Sequence, residues 1–226
     1  MYVGRIMKTD LVTVPTETSL LEAREILMEK KIAHLLVVDK KEKLLGVVSD
    51  RNLKESWASN ATTLSVHELN YLLEKLTVGM IMAKTLITVS PDTTIERAAH
   101  ILQENRISAL PVLEHKELVG IITTNDVLGV ILQAIGINQE SSRFSVLVKD
   151  RIGVMAEVTQ ILKDHGVNIR SLFTWPENAY PGVYQLVMRV DAGDGEKAIN
   201  HLIDHGYKVL TEYIKDLTPF LPGTKT

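Results

Sequence analysis

The chain has 226 residues, 45% hydrophobic and 23% charged, which is typical of a soluble globular protein. Its formal net charge is -3 at pH 7, so no overall positive field favours nucleic acid as a partner. It contains no cysteine, which excludes disulfides, thiolate metal ligands and cysteine nucleophiles. No apolar run reaches the roughly 18 residues of a membrane span, and the first residues lack the apolar stretch of a signal peptide. We therefore expect a cytoplasmic protein without a membrane partner.

The first half of the chain is an internal repeat. Residues 7–39 align without a gap with residues 82–114, at an offset of 75, and 12 of the 33 pairs are identical. After one deletion the match resumes between residues 46–53 and 120–127. A unit of this length buries little apolar surface by itself, so two tandem copies predict a pair of modules packed against each other.

Each copy contains the same predicted elements. A short β-branched strand, at residues 11–14 or 86–89, precedes a helix, and two apolar strands joined by a charged turn follow. A second helix then closes the copy. The capping boxes that mark the first helix of each copy are Ser19 with Glu22, and Thr93 with Glu96. Between the copies, the apolar spacing predicts a linker helix over residues 65–76.

A hydroxyl residue ends the last strand of each copy, and a polar residue follows three positions later. These pairs are Ser49 with Asn52, and Thr123 with Asp126. The members of each pair lie on one side of the first helical turn. A hydroxyl and free helical N–H groups can hold a phosphate, and a carboxylate can accept hydrogen bonds from ribose hydroxyls. The alternative interpretation is an ordinary helix N-cap.

The repeat resembles a pair of cystathionine-β-synthase-type (CBS) domains, called a Bateman module, over about residues 1–135. The resemblance rests on the Met-x-x-x-Leu-x-Thr-Val opening, the strand at residues 107–112 and the Gly-x-x-Ser/Thr-x-x-Asp/Asn close. It implies a regulatory adenosine nucleotide (AMP, ADP or ATP) and no catalytic cofactor. The nucleotide site that it implies in the second copy consists of Thr85, Leu86, Ile87, Ser108, Ala109, Leu110, Pro111, Thr123 and Asp126.

The first copy departs from the pattern twice. Asn52 replaces the acid, and Leu36 stands where the second copy has Pro111. An amide still bonds ribose, but without the assistance of a charge. The weaker site implied here consists of Leu11, His34, Leu35, Ser49, Arg51 and Asn52. The candidate phosphate partners, which are alternatively solvated surface charges, are His34, Arg51 and Arg106.

The second half predicts a different α/β unit, with the order βαββαβ. Such a unit forms an antiparallel sheet with both helices on one face, and its open face favours self-association. The unit resembles an ACT domain over about residues 143–215, because of the Asp-Arg-Ile-Gly turn and the Val-Asn-Ile entry to the second strand. The resemblance implies an amino acid or another small ligand at Asp150, Gly153, Asn168 and Ile169. The alternative is a domain that only dimerises.

The fold class predicted is therefore α/β (α+β), with tandem CBS repeats and a ferredoxin-like ACT domain. The predicted divisions are a first CBS domain (1–60), a helical linker (61–78), a second CBS domain (79–135), a linker (136–142), the ACT domain (143–216) and a tail (217–226). His201 and His205 stand four apart on a helix, but two ligands alone do not make a metal site, so no metal is expected. No motif indicates a nucleophile, and we expect no catalytic residue.

A CBS pair followed by an ACT domain resembles the acetoin-utilisation protein B family over almost the whole chain. The resemblance implies a non-enzymatic bacterial regulator linked to acetoin or acetate metabolism. From the paired modules and the open sheet face we also expect a homodimer, formed through the CBS and ACT domains, that acts on a partner enzyme. Two alternatives stay open. One is a ligand-independent dimerisation and protein-interaction module, and the other is a metabolic enzyme.

Overall fold

The computed structural model describes residues 1–56, 71, 73–137 and 140–223. The chain divides into two compact units, Met1–Leu128 and Gly129–Thr226. Helices and strands alternate in both, which confirms the α+β class. Most of the predicted linker helix over residues 65–76 lies outside the described residues. In the described part of the chain, no helix is long and apolar enough to cross a membrane.

The first module of the first unit is a three-stranded sheet with two helices. Its elements are β1 (Thr13–Pro15), α1 (Leu20–Lys30), β2 (His34–Val38), β3 (Leu44–Ser49) and α2 (Asp50–Ser56). β1 pairs in parallel with β2, which pairs antiparallel with β3. The completely buried side chains of Leu20 and Leu35 belong to its core. The first strand begins at Thr13 rather than at the predicted Leu11.

The second module follows the same plan, but a short helix precedes it and the first strand is missing from its sheet. Its elements are α3 (Val78–Ile81), α4 (Ile95–Asn105), β4 (Ala109–Glu114), β5 (Glu117–Thr123) and α5 (Thr124–Ala134). β4 and β5 pair antiparallel. The strand predicted at residues 86–89 is reduced to one parallel bridge between Val89 and Val112, so that prediction was wrong for residues 86–88.

The start of the first helix in each module depends on a hydroxyl cap. Ser19 Oγ accepts a hydrogen bond from the Glu22 amide at 3.2 Å, which confirms the predicted cap of α1. The cap of α4 is Thr94, whose Oγ1 accepts from the Arg97 amide at 3.2 Å, and not the predicted Thr93. Thr94 is the equivalent of Ser19 at the repeat offset of 75.

The modules exchange the segments that precede their first strands. The Val3 amide donates to the carbonyl of Thr93 at 2.8 Å, and the Val78 amide donates to the carbonyl of Thr18 at 2.9 Å. Further along, Lys8 pairs with Ile121 and Ala83 pairs with Val47, each through two backbone hydrogen bonds. The contacts are equivalent under the repeat. The start of each copy therefore packs on the other copy.

Two buried glycines allow this exchange. A Cβ at Gly120 would lie 2.5 Å from Met7 Sδ, and a Cβ at Gly46 would contact Met82 in the same way. Each methionine comes before the first strand of one module and lies over a strand of the other module. Glycine at these two strand positions therefore leaves the space that the partner methionine fills.

The second unit is a four-stranded antiparallel sheet with strand order β7-β8-β6-β9. Its elements are β6 (Ser141–Lys149), α6 (Val154–Asp164), β7 (Ile169–Pro176), β8 (Val183–Asp191), α7 (Gly195–Asp204) and β9 (Val209–Leu210). The order confirms the predicted βαββαβ unit. Side chains of both helices, including Leu162 and Leu202, pack with Phe144 and Met188 on one face of the sheet.

Two expectations for this unit need correction. The last strand, expected over residues 207–214, is only Val209–Leu210. The sheet face predicted to be open holds the buried side chains of Ser145, Leu147 and Val187. Residues 220–222 line a cavity together with Leu147. The C-terminal segment therefore covers part of this face, because an apolar face left in water would be unfavourable.

Candidate functional site

Two clefts lie between the modules of the first unit. The Asn52 cleft, of about 540 Å³, holds Ser49, Arg51 and Asn52 of the first module. The Thr123 cleft, of about 300 Å³, holds Thr123 and the first residues of α5. The two clefts contain repeat-equivalent positions of opposite modules, so they are related by the internal duplication.

Each cleft is lined by residues of both copies, in a combination that differs from the sequence prediction. Ser49 and Asn52 of the first copy face residues 85–87 and 106–109 of the second copy, with Pro111. Thr123 of the second copy faces residues 31–34 of the first copy, together with Lys8. The prediction placed residues 85–87 and Thr123 in a single site. The structure separates them because the segments before the modules are exchanged.

Thr123 and Asp126 form a closed hydrogen-bonded pair at the start of α5. The Thr123 amide and hydroxyl both donate to Asp126 Oδ2, at 2.8 Å and 2.5 Å. The Asp126 amide donates back to Thr123 Oγ1 at 3.3 Å. The other carboxylate oxygen, Oδ1, lies 3.5 Å from Lys8 Nζ. The pair caps the start of α5 and occupies Oδ2. Because Lys8 lies beside Oδ1, a ribose hydroxyl that donates to this oxygen would compete with Lys8.

Ser49 and Asn52 reproduce the same arrangement at the start of α2. Asn52 Oδ1 accepts from the Ser49 amide at 3.0 Å and from the Ser49 hydroxyl at 2.7 Å. The Asn52 amide donates to Ser49 Oγ at 3.2 Å. The pair carries no charge, and the Asn52 side-chain NH2 group adds donors where Asp126 offers only acceptors.

The rims of the clefts differ in their charges. Arg51 Nε donates to Glu55 Oε1 at 2.9 Å, and both side chains are well exposed. Arg106 is the C-cap residue that follows α4, and it has a left-handed φ of 53°. Its side chain lines the same cleft. Its repeat equivalent, Lys31, has a φ of 52° and lines the Thr123 cleft. The Asn52 cleft therefore carries two guanidinium groups and one carboxylate.

His34 and Ser108 belong to both clefts. His34 Nε2 and Ser108 Oγ are joined by a hydrogen bond of 2.7 Å between the two modules. Burial lowers the pKa of His34, because the imidazolium form loses hydration there. The bond separates the two clefts, so a ligand in either one lies against the same pair.

Four predicted site residues do not line a cleft, namely Leu11, Leu35, Leu110 and Asp126. Leu35 and Leu110 have no exposed surface and lie in the module cores, and Leu11 is outside both linings. Side chains alternate along a strand, so the neighbours of Leu35 and Leu110 face the clefts instead. Asp126 is not part of the cleft wall, but its carboxylate is hydrogen-bonded to Thr123, which is.

The sequence reasoning missed several residues of the Thr123 cleft. Lys8, Asp10, Val12 and Lys31 line it, although none was a predicted site residue. The repeat contained the necessary signal. Asp10 is the equivalent of Thr85 at the offset of 75, and Thr85 was predicted.

The residues implied by the ACT resemblance fall at two ends of α6. The Asp150 amide donates to the carbonyl of Gly182 at 2.9 Å, and Gly153 precedes the helix with a φ of 85°. Asn168 and Ile169 follow the helix, which is about 16 Å long for its 11 residues. One chain therefore does not bring these four residues into a single site.

A third histidine joins the predicted pair at the C-terminal end of α7. The His165 ring stacks on His201 with centroids 3.5 Å apart, and its centroid lies 5.8 Å from that of His205. Nδ1 of His165 and Nδ1 of His205 lie within hydrogen-bond distance of helix carbonyls. Burial and the neighbouring His165 lower the pKa of His201. The described residues contain no group of three or more His, Asp or Glu arranged to hold a metal.

Two family models match the chain. The CBS domain model matches residues 3–58 and 78–133. The AHAS small subunit-like ACT domain model matches residues 144–204.

Among curated proteins, the chain is 34% identical to the homoserine O-acetyltransferase of Methanosalsum zhilinae over 126 residues. This match covers 55% of the chain and 23% of the enzyme. It is 33% identical over 144 residues to the chloroplastic CBS domain-containing protein CBSX2 of Arabidopsis thaliana, covering 56% and 60%. The chain thus spans about a quarter of the length of the enzyme.

Among solved structures, a putative acetoin utilization protein from Vibrio cholerae shares 26% identity and a TM-score of 0.50. The match covers 62% of this chain and 97% of that chain. CBSX2 has been solved in complex with AMP, with 34% identity, a coverage of 61% and 98%, and a TM-score of 0.48.

Proposed function

The chain is a CBS-domain protein, with a CBS pair followed by an ACT domain of the AHAS small subunit type, and we propose that it is a regulator that binds an adenosine nucleotide between its CBS modules. The observation that carries this proposal is the pair of repeat-related clefts. Their volumes, about 300 and 540 Å³, fall within the usual range for small-ligand sites.

The Asn52 cleft is the first candidate for the nucleotide. It is the larger cleft, and six of the nine residues implied for the second copy line it. Leu86, Ile87 and Pro111 offer apolar contacts for a flat base. Arg51 and Arg106 offer guanidinium groups for phosphate oxygens, which planar fork donors bind well.

The Thr123 cleft is the second candidate. Lys8 and Lys31 supply ammonium groups, and the first N–H groups of the 11-residue helix α5 supply donors for a phosphate. Asp126 offers a carboxylate to ribose, provided that the ligand displaces Lys8 from Oδ1. The smaller volume and the acidic neighbours Asp10 and Asp126 favour a ligand with less negative charge than the Asn52 cleft takes.

AMP is the first nucleotide to test. CBSX2, which shares a third of its aligned residues with this chain, is known as a complex with AMP. ADP and ATP follow as longer probes of the arginine rim.

Calorimetric titration of the full chain tests the proposal with a matched pair of variants, Arg106→Ala and Lys31→Ala. The two residues are repeat equivalents with the same exposed, left-handed backbone, so both variants should fold alike. Loss of a hydrogen bond to a charged group costs about 1.5–3 kcal/mol. We expect Arg106→Ala to weaken AMP binding by at least about tenfold, while Lys31→Ala leaves the Asn52 cleft unchanged. An absence of heat with AMP, ADP and ATP would refute the proposal.

Finer parts of the function belong to this proposal. They include an amino acid or small ligand at Asp150, Gly153, Asn168 and Ile169. Because these residues lie at both ends of α6, such a site requires two subunits and hence a homodimer. We also propose that the protein is non-enzymatic and cytoplasmic and controls a partner enzyme. The name of the Vibrio structure supports a link to acetoin or acetate metabolism.

A ligand-independent interaction module is the second candidate. It is favoured by the closed Ser49–Asn52 and Thr123–Asp126 pairs, which act as helix caps without any ligand. A dimer that captures the same partner enzyme with and without AMP would support this candidate. Capture that changes with AMP would support the nucleotide sensor.

A further inference from the structure

One side-chain hydrogen bond between the modules forms part of the wall of both clefts. It joins His34 Nε2, at the start of β2, to Ser108 Oγ, directly before β4, at 2.7 Å. Both residues line the Asn52 cleft and the Thr123 cleft. We propose that this pair couples the two clefts, so that a nucleotide bound in one cleft lowers the affinity of the other. The inference rests on the nucleotide binding proposed above.

The bond has no counterpart under the internal repeat. At the offset of 75, the equivalent of His34 is Ala109, and the equivalent of Ser108 is Ala33. The backbone contacts that exchange the first segments, by contrast, occur in equivalent pairs. Those paired contacts already hold the modules together, and the His34–Ser108 bond adds a single polar link at the boundary between the clefts.

The pair has one hydrogen left for ligands. Burial lowers the pKa of His34, so the imidazole is neutral at about pH 7.5 and has one N–H group. The Ser108 hydroxyl has one O–H group, and the bond between the two side chains uses one of these two hydrogens. If Nε2–H donates to Ser108, the hydroxyl remains as the donor for a ligand. If the hydroxyl donates to Nε2, the remaining donor is Nδ1–H of His34.

This hydrogen count makes two anionic ligands compete. A phosphate oxygen accepts hydrogen bonds, and the pair offers a single donor to both clefts. The nucleotide that binds first takes this donor and fixes the arrangement of the two hydrogens. The second nucleotide then meets a polar wall without a donor, which is unfavourable for its binding. Linkage requires the same coupling in both directions, whichever cleft fills first.

The pair is also bonded to the start of the helix in each cleft. The Thr124 amide, at the start of α5, donates to the carbonyl of Ser108 at 3.0 Å. The Asp50 amide, at the start of α2, donates to the carbonyl of Ala33, the neighbour of His34, at 2.9 Å. A ligand that displaces the pair from one cleft therefore acts on the backbone of the other.

Calorimetric titration of the full chain with AMP at about pH 7.5 measures the coupling. Lys31→Glu and Arg106→Glu each replace a rim cation by an anion, so each variant leaves one cleft for AMP. Independent clefts would make the product of the two association constants of the unsubstituted chain equal to the product of the two single-cleft constants. We expect the measured product to be smaller by at least about fivefold, within the usual range of coupling.

The double variant His34→Ala with Ser108→Ala removes the pair. It introduces at both positions the residue that the repeat has at the equivalent position, so the modules should still fold. Measured in the same way, its two clefts should be independent. His100→Ala, at an exposed position of α4 outside both clefts, is the matched control and should keep the coupling.

The outcomes separate this inference from the proposed function. Two clefts that bind AMP independently in the unsubstituted chain would overturn the coupling alone. Failure of either single-cleft variant to bind AMP would overturn it as well, because only one cleft would then take the nucleotide. Coupling that survives in the double variant would assign it to direct repulsion between the phosphates and not to the pair. Absence of any AMP binding would refute the proposed function, and this inference with it.

Discussion

Substitution of Gly120 by alanine tests how the two modules interlock. Gly120 is buried in β5, and an added Cβ would lie 2.5 Å from Sδ, 2.9 Å from Cγ and 3.2 Å from Cβ of Met7. Rotation of the Met7 side chain would move Sδ and Cγ away, but the Cβ of Met7 would stay in tight contact at 3.2 Å unless the backbone shifted. Overpacking of this kind costs about 1–3 kcal/mol. We expect Gly120→Ala to lower the free energy of unfolding of the first unit by that amount.

Met7→Ala in the same chain supplies the decisive comparison. By itself this truncation is unfavourable, because it leaves a cavity. In the Met7→Ala background, however, the methyl group that Gly120→Ala adds has space, so its cost should largely vanish. The difference between the two backgrounds should be at least about 1 kcal/mol, the coupling expected of side chains in contact.

Hydrogen exchange during urea unfolding is a suitable measurement, because peptides from the two units are read separately. Peptides from β4 and β5 report the first unit, and peptides from β6 serve as an internal control. An equal cost of Gly120→Ala in both backgrounds would show that Met7 does not occupy this space. The exchange of segments between the modules would then be refuted.

Two further predictions concern the clefts. Thr123→Ala removes the cap of α5 and should lower the free energy of unfolding by about 1 kcal/mol; an unchanged urea midpoint would show that the hydroxyl is not a cap. His34 has a folded pKa below its ordinary value of 6.5 because of burial, so the unfolded chain binds more protons in acid. Its contribution to stability is thus fully present above that value and is lost as the pH falls through the folded pKa. His34→Gln should flatten the dependence of the urea midpoint on pH between about 7.5 and 5, and an unchanged slope would contradict the burial of His34.

The sequence by itself determined most of the elements and their order. The duplication, the cap at Ser19 and the βαββαβ order of the second half are local or periodic patterns, and the structure contains all three. Capping depends on residues three positions apart, so it can be read from a short stretch of sequence. The paired motifs Ser49–Asn52 and Thr123–Asp126 were recognisable for the same reason.

Only the tertiary structure decided which residues share a cleft. Thr85 and Thr123 belong to the same copy but to different clefts, because each copy packs its first segment on the other. The pleat of the strands turned Leu35 and Leu110 into the core. In the second unit, the return of the chain placed Phe220 beside Leu147. Such contacts join residues far apart in sequence, and no local pattern specifies them, since they depend on how complete faces bury their apolar surface.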